Sequence, residues 1–158
     1  MMEQQSRRGL LKNAAKAAVA VTGGAALAQT SQAQVTGKLE KRSHGPAPKN
    51  GETPLFSSVI SFGNLVFLAG VGAHFQGTIE EHTKHVLDEL EKNLATAGSS
   101  MEKVLKVNVY LNDINDWAKM NTVYQGRWGK VPPVRTTIAA AGGIPGNSLV
   151  EIDCIAYI

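Results

Sequence analysis

The hydrophobic period of the chain changes between two neighbouring segments, and this change limits the possible folds more than any other feature. In residues 79–94, apolar side chains recur at three- and four-residue steps with Glu and Lys on the other side. This pattern predicts an amphipathic helix of about five turns that ends at Gly98. In residues 105–111, apolar and polar side chains alternate, which predicts a strand with one apolar face. Together, these two segments predict a helix packed against a sheet.

Turn and breaker signals predict a hairpin before this helix and a second helix after this strand. Residues 56–62 and 65–69 are β-favouring runs on either side of Gly63-Asn64, and a turn signal between two such runs predicts a hairpin. Residues 114–127 carry apolar side chains at helical spacing ahead of Pro132-Pro133, which predicts a second helix.

Two more strands are predicted at the end of the chain, in residues 135–141 and 149–157, around a turn rich in Gly and Pro. The predicted order is therefore strand, strand, helix, strand, helix, strand, strand. The fold class that follows is α+β, a two-layer sandwich in which two helices cover one face of a mixed sheet.

The second face of this sheet has no helix to cover it. It carries Lys106, Asn108 and Tyr110 beside apolar residues of other strands. A half-polar open face in a small domain predicts burial against further copies of the same chain, in a closed homo-oligomer.

The first 33 residues have the pattern of an export leader. Arg7-Arg8 precedes a weakly apolar, Ala-rich run, and small-residue cleavage sites follow at Ala28 and Ala33. This resembles a twin-arginine signal peptide and predicts a periplasmic protein. A membrane-spanning helix is the alternative, but Lys16 interrupts the apolar run, which is shorter than the roughly 20 residues a span needs. The mature form would have no membrane anchor.

Removal of the leader also removes the basic character of the chain. The leader carries four of the 16 basic and one of the 13 acidic side chains, which leaves 12 of each. This balance is a poor match to a nucleic-acid partner. Residues 34–54 are rich in Gly, Pro, Lys and Ser and predict a flexible arm with a short edge strand near residues 38–42, and residues 55–158 form the domain itself.

Cysteine and histidine give little support for a disulfide or a metal. Cys154 is the only cysteine, so no intrachain disulfide can form. His82 and His85 lie three residues apart on the first predicted helix, among Glu and Lys residues. We predict a solvated helix face there rather than a metal site.

Arg135 stands at the start of an apolar strand, and Glu151 lies in the strand that follows. An arginine fork matches a carboxylate or a phosphate in two-point contact, so a fixed Arg135 predicts a small acidic ligand. If the two strands formed a hairpin, both side chains would lie on one face with Cα atoms ~13 Å apart, far enough to hold a molecule between them. A structural ion pair or an interface contact of Arg135 is the alternative.

Several segments of the domain resemble one known family, the RidA family, also called the YjgF or L-PSP endoribonuclease group. The resemblance covers roughly residues 55–158 in matching order and spacing. The segments that carry it are residues 63–70, 83–93, 97–100, 104–112, 123–124, 133–137 and 150–156. It implies a chorismate-mutase-like fold, a homotrimer with sites in the subunit clefts, and hydrolysis of 2-imino acids or enamines to 2-keto acids and ammonia without a cofactor.

The resemblance also implies roles for individual residues. Arg135 matches the arginine that holds the substrate carboxylate, and Glu151 matches the glutamate that positions or activates the attacking water. Gly70 falls in the loop that lines the site, and Asn121 matches a family asparagine close to it.

Three positions of this predicted substrate site depart from the family. Phe56 stands where a Tyr is usual, Val71 where a Gln is common, and Thr137 where a Cys is common. The first two substitutions predict a more apolar cleft and a different or bulkier substrate.

Three functions remain open from the sequence. The first is a periplasmic imine deaminase of the RidA type. The second is a trimeric binding protein that holds a small carboxylate in the same clefts without turnover. The third is an endoribonuclease, which the charge balance supports least.

Overall fold

The computed structural model describes residues 39–46 and 49–158. The predicted leader and the first residues of the predicted arm lie outside the described residues. No helix in the described part of the chain is long and apolar enough to cross a membrane. The strands are β1 (Lys41–Ser43), β2 (Val59–Phe62), β3 (Leu65–Gly72), β4 (Val104–Leu111), β5 (Val134–Ala139) and β6 (Val150–Tyr157), and the helices are α1 (Ile79–Thr96) and α2 (Trp117–Tyr124).

The six strands form one mixed sheet in the order β1-β2-β3-β6-β4-β5. Only β4 and β5 run parallel to each other, and the other neighbours are antiparallel. The core lies between the sheet and the two helices, where apolar side chains of β2, β3, β4, β6 and both helices are buried. The predicted two-layer α+β sandwich is thereby confirmed. Fully buried members of this core include Leu87, Leu90, Leu94, Met120, Val107, Val109, Leu111 and Ile152.

Helix α1 has a defined signal at each end. Thr78 and Glu81 form a capping box, in which each side chain accepts a hydrogen bond from the backbone N–H of the other residue. At the other end Gly98 has a φ of 75°, and the Ser99 N–H bonds to the Leu94 carbonyl at 3.0 Å, as in a Schellman motif. The predicted end at Gly98 is confirmed.

Several predicted boundaries differ from the structure, among them the end of β5, which lies at Ala139 instead of residue 141. Residues 56–58 precede β2 instead of belonging to it. Strand β3 does not end at Gly70 but continues to Gly72, because a register shift between Leu68 and Val71 absorbs the glycine. Helix α2 is shorter than residues 114–127, since Ile114–Asp116 forms a 3-10 turn and Gly126, with a φ of 81°, follows the helix end.

The predicted hairpin of the last two strands is wrong. Strand β5 pairs only with β4, and β6 lies between β3 and β4. Helix α2 connects β4 to β5, so these three elements form a crossover unit with parallel strands. The predicted edge strand of the arm is present as β1, which pairs with β2.

Candidate functional site

Arg135 lies on the edge strand β5 and faces the helices. Its register partner on β4 is Val107, which is fully buried under the helices, and register partners share a face of the sheet. The guanidinium lies over the ring of Tyr124 at 4.6 Å, and its Nη1 donates a hydrogen bond to Asn121 Oδ1 at 2.8 Å. Both partners come from α2, so the helix fixes the direction of the guanidinium.

The charge of Arg135 has no acidic partner within the described residues. The ion pairs there involve Lys84, Lys92 and Arg127 on the outer side of the helices. A guanidinium has five N–H donors, and the contact with Asn121 occupies one of them. Within the described residues, Arg135 is therefore held by Asn121 and Tyr124 rather than by an ion pair, and N–H donors remain for a ligand.

A cavity of about 340 Å³ opens beside Arg135, and we call it the arginine pocket. Tyr124, Trp128 and Pro132 supply its apolar wall, and Asn121 and Arg135 supply polar groups. Burial raises the pKa of Tyr124 to about 12, and the Arg135 cation opposes this shift. The phenol thus stays neutral beneath the guanidinium.

Thr137 follows Arg135 on the same face of β5. Its register partner is Val109, in the core, and its hydroxyl is buried with no hydrogen-bond partner in the described structure. Thr137 thus lies next to Arg135 in the strand but does not line the arginine pocket.

Glu151 lies near the start of β6, over the irregular part of β3. Its register partners are Gly72 on β3 and Tyr110 on β4. Its carboxylate oxygen Oε1 occupies the place that a Cβ atom on residue 70 would take, so a side chain there would displace the carboxylate. Glycine at residue 70 thus lets the Glu151 carboxylate lie close against the backbone of β3.

A cavity of about 200 Å³ lies at the same end of β3. Phe56, Gly70, Val71 and His74 are among the residues that line it. We call this cavity, together with the Glu151 carboxylate over Gly70, the glutamate cleft. Phe56 is 66% exposed at its mouth, and its ring supplies no hydrogen-bonding group.

The seven predicted site residues therefore form two groups instead of one. Arg135, Asn121 and Thr137 belong to the arginine pocket and the strand beside it, while Glu151, Gly70, Val71 and Phe56 belong to the glutamate cleft.

Arg135 and Glu151 lie on different faces of the sheet, because Arg135 pairs with buried Val107 whereas Glu151 pairs with Tyr110 on the open face. The predicted common face is wrong. The two Cα atoms are two strands and three residues apart in register, or ~14 Å across the sheet.

The family of the chain follows from a match over most of its length. The model of the family described as Endoribonuclease L-PSP matches residues 49–158. The chain belongs to the L-PSP family.

Individual relatives agree with this L-PSP assignment. A RutC family protein of Pyrococcus abyssi is 38% identical over 109 residues, which cover 65% of this chain and 85% of the relative. The chloroplastic Reactive Intermediate Deaminase A of Arabidopsis thaliana is 32% identical over 110 residues, which cover 65% of this chain and 58% of the relative. The crystal structure of a YjgF family member from Neisseria meningitidis has a TM-score of 0.65 at 30% identity and covers 75% of this chain and 94% of its own. These relatives support a RidA-like role at the level of the L-PSP family.

Two aromatic residues of the arginine pocket were not among the predicted site residues. Tyr124 supports the guanidinium from below, and Trp128 closes the arginine pocket and is 2% exposed. Helical spacing could have identified Tyr124, because it lies one turn after Asn121 on the same face of α2. Trp128 follows the helix, where no periodicity indicates which way a side chain faces.

A row of polar groups continues from Glu151 across the open face of this L-PSP domain. Asp153 accepts hydrogen bonds from Asn108 Nδ2 at 2.7 Å and from the Tyr110 hydroxyl at 3.0 Å. Burial, Asp153 and Glu151 all raise the pKa of Tyr110, so it remains a neutral donor. In the part of the chain that is described, no cluster of three or more His, Cys, Asp or Glu side chains has the arrangement of a metal site.

Proposed function

We propose that this protein hydrolyses reactive 2-imino acids and their enamine forms to 2-keto acids and ammonia. The observation that carries the proposal is the half-buried Arg135, which is held by Asn121 and Tyr124 and has no acidic partner among the described residues. A fixed guanidinium with free donors is suited to a carboxylate, which every 2-imino acid carries. The reactive intermediate deaminase among the relatives supports the same chemistry.

The proposed active site forms between two copies of the chain. Arg135 and Glu151 face opposite sides of one sheet, so a single chain cannot bring both to one small molecule. In a closed ring of subunits, β5 of one copy meets the glutamate cleft of the next. We propose a homotrimer with three such sites, as the family resemblance implies.

The side chains then divide the reaction between them. Arg135 holds the substrate carboxylate, and Glu151 accepts a proton from a water molecule that attacks the imine carbon. Transfer of that proton to nitrogen, as the C=N double bond opens, gives a carbinolamine. Glu151 then moves the hydroxyl proton to nitrogen, the C–N bond breaks as the C=O bond forms, and a 2-keto acid and ammonia leave. The imine carbon is already electrophilic, so orientation and one general base supply much of the catalysis.

The shape of the arginine pocket favours substrates with an apolar side chain. Its wall is formed by Tyr124, Trp128 and Pro132, and its volume of about 340 Å³ accommodates a branched or aromatic group. Phe56 and Val71 make the opposite side of the site apolar as well. We therefore propose imino acids derived from Leu or Phe as better substrates than that derived from Ala.

An amino-acid oxidase that generates 2-imino acids tests the proposal. Purified protein is added and the release of ammonia is followed over the spontaneous rate. We expect clear acceleration by the wild type, none by Arg135→Ala, and a strongly reduced rate for Arg135→Lys, which keeps the charge but loses the two-point contact. Arg42→Ala, at an exposed position of β1, is the matched control. Equal acceleration by the Arg135→Ala variant would contradict the proposal.

A binding protein without turnover is the second candidate. It is favoured by Phe56, which lacks the hydroxyl of the Tyr that is usual at this position in the family. Its expected signature is stabilisation of the fold by a small aromatic or branched carboxylate, abolished by Arg135→Ala. Glu151→Gln separates the two candidates, because ligand binding survives this change whereas hydrolysis does not.

Cleavage of RNA, the activity in the family description, is the weakest candidate for this chain. Outside the predicted leader, basic and acidic side chains are equal in number, which gives little attraction for a phosphate backbone. A nuclease activity that survives Arg135→Ala would be needed to support it.

We further propose that the protein acts in the periplasm, because residues 1–33 have the pattern of a twin-arginine leader. Fusion of these residues to a reporter that is active only after export tests this, with Arg7→Lys/Arg8→Lys as the control. Export that is unaffected by this double substitution would argue against the twin-arginine route.

A further inference from the structure

His82 is buried in the first turns of α1, and both of its ring nitrogens are used. The side chain is 1% exposed, so the predicted solvated face is wrong at this position. Nε2 lies 2.9 Å from the Phe75 carbonyl, and Nδ1 lies 3.1 Å from the Leu149 N–H. A carbonyl can only accept and an N–H can only donate, so these contacts assign the ring proton to Nε2.

The two backbone groups that His82 binds belong to the two segments that meet at the glutamate cleft. Phe75 lies in the loop that follows Gly72 at the end of β3, and Leu149 lies two residues before Glu151. The adjacent Ser148 makes a parallel connection, since its Oγ accepts from the Ala73 N–H at 2.8 Å and donates to the Val150 carbonyl at 2.6 Å.

This end of the sheet needs such support because its ladder is irregular. The pairing of β3 with β6 shifts between Leu68 and Val71, and the Gly72 and Glu151 pair is the last one. A bulge and two glycines specify a register weakly, and a small shift would move the Glu151 carboxylate from its place over Gly70. The contacts of His82 hold both strands beyond the bulge.

We propose that His82 is a positioning residue for Glu151. It does not contact a substrate; it fixes the loop after β3 and the start of β6 against α1, and thereby holds the Glu151 carboxylate over Gly70. The expected effect of His82 on turnover depends on the proposed hydrolysis. Its expected effect on the backbone near Glu151 does not depend on that proposal.

Two substitutions at this position separate positioning from simple core packing. His82→Leu keeps an apolar volume but removes both hydrogen bonds, while His82→Gln keeps one donor and one acceptor. For His82→Leu we expect a kcat about tenfold to 100-fold lower with little change in KM, because the carboxylate anchor at Arg135 lies elsewhere. His82→Gln is expected to recover most of kcat. His85→Leu is the matched control, since the His85 ring contacts the same Phe75 ring.

Amide hydrogen exchange and the NMR signal of the Glu151 side-chain carboxyl carbon give a readout without activity. We expect His82→Leu to speed exchange at Leu149 by about tenfold or more and to shift the Glu151 signal, with exchange at Leu90 in the core of α1 unchanged. Unchanged Leu149 exchange and an unchanged Glu151 signal would overturn the inference. If amide exchange at Leu90 were accelerated as much as at Leu149, His82 would be a packing residue only, and the inference would also be overturned. A wild type that hydrolyses no imine would contradict the proposed function, while these two signals would still decide the role of His82.

Discussion

At the scale of single residues, the Arg135 guanidinium is oriented by its neighbours before any ligand binds. The guanidinium lies on the face of the Tyr124 ring, a cation–π contact worth ~0.5–2 kcal/mol, and it donates one hydrogen bond to Asn121. Neither partner neutralises the charge. The guanidinium is thus held in one orientation before a carboxylate arrives, which reduces the entropy lost on binding.

Gly70→Ala tests the contact between Gly70 and the Glu151 carboxylate. The added methyl group would take the place of Glu151 Oε1, so we expect imine hydrolysis to fall about tenfold or more while the protein stays folded. Ammonia release and thermal unfolding are measured together. Gly142→Ala is the matched control, because a Cβ there meets no atom within 4 Å and should change neither quantity. Full activity of the Gly70→Ala variant would show that the position of Glu151 is not critical.

Tyr124→Phe tests the buried phenol through the pH dependence of stability. Because burial raises the pKa of Tyr124 to about 12, the folded chain holds this proton more tightly than the unfolded chain. The resulting stabilisation, roughly 2–3 kcal/mol, is complete below pH ~10 and is lost as pH rises towards ~12.

Urea unfolding between pH 8 and pH 12 is the measurement for this prediction. Tyr124→Phe should lose less stability over this range than the wild type. At pH 8 it should cost little, because the hydroxyl has no hydrogen-bond partner in the described structure. Tyr157→Phe, at a 39% exposed position, is the control. Identical pH profiles of Tyr124→Phe and the wild type would contradict the assigned burial.

At the scale of elements, α1 depends on its N-terminal cap. Thr78→Ala removes the hydroxyl that accepts from the Glu81 N–H, and we expect a loss of about 1 kcal/mol in the free energy of unfolding. Equilibrium urea unfolding measures it. Thr122→Ala, at an exposed site inside α2, is the control and should be neutral or stabilising because Ala favours helices. A Thr78→Ala variant as stable as the wild type would mean that Glu81 alone suffices as a cap.

Local patterns in the sequence were sufficient to predict whether each long element is a helix or a strand. They were not sufficient to predict which strands pair with each other. The 3.6-residue period of α1 and the alternation of β4 depend on neighbours a few residues away, so both can be read directly. The pairing of β5 with β4 depends on a crossover through α2, and no period reports it. The assumed hairpin therefore put Arg135 and Glu151 on one face, although the structure separates them.

The sequence predicted which residues belong to the candidate site better than it predicted their geometry. Arg135 and Glu151 could be found because a charged side chain stands out in an apolar strand. The closeness of Glu151 to Gly70 could not, because a bulge in β3 creates it and a bulge leaves little trace in sequence. His82 was misread for a related reason, since its burial comes from contacts with distant backbone groups rather than from the helix pattern around it.

At the scale of the whole molecule, the open face of the sheet supports assembly. Phe62, Phe67 and Tyr157 are between 39% and 46% exposed there, and a polar row that includes Glu151 and Asp153 runs beside them. Exposed aromatic side chains beside a polar row are typical of an interface between subunits.

Phe67→Glu tests this assembly. A charge next to Ile155, its register partner, should prevent close packing of the open faces, and we expect the proposed trimer to be replaced by monomers. Sedimentation velocity measures the mass, and imine hydrolysis should be lost although Arg135 and Glu151 are both present. Leu55→Glu, at a 97% exposed position outside the sheet, is the control. A trimeric Phe67→Glu variant would contradict an interface on this face.

The placement of Arg135 and Glu151 on opposite faces also has a genetic consequence. If each active site combines Arg135 of one subunit with Glu151 of the next, the Arg135→Ala and Glu151→Gln chains are inactive alone but complement each other in mixed trimers. With equal amounts and random assembly, about one site in four receives both intact groups. Two null alleles expressed together would then restore about a quarter of the wild-type activity, and a cell that carries both would differ from a cell that carries either one.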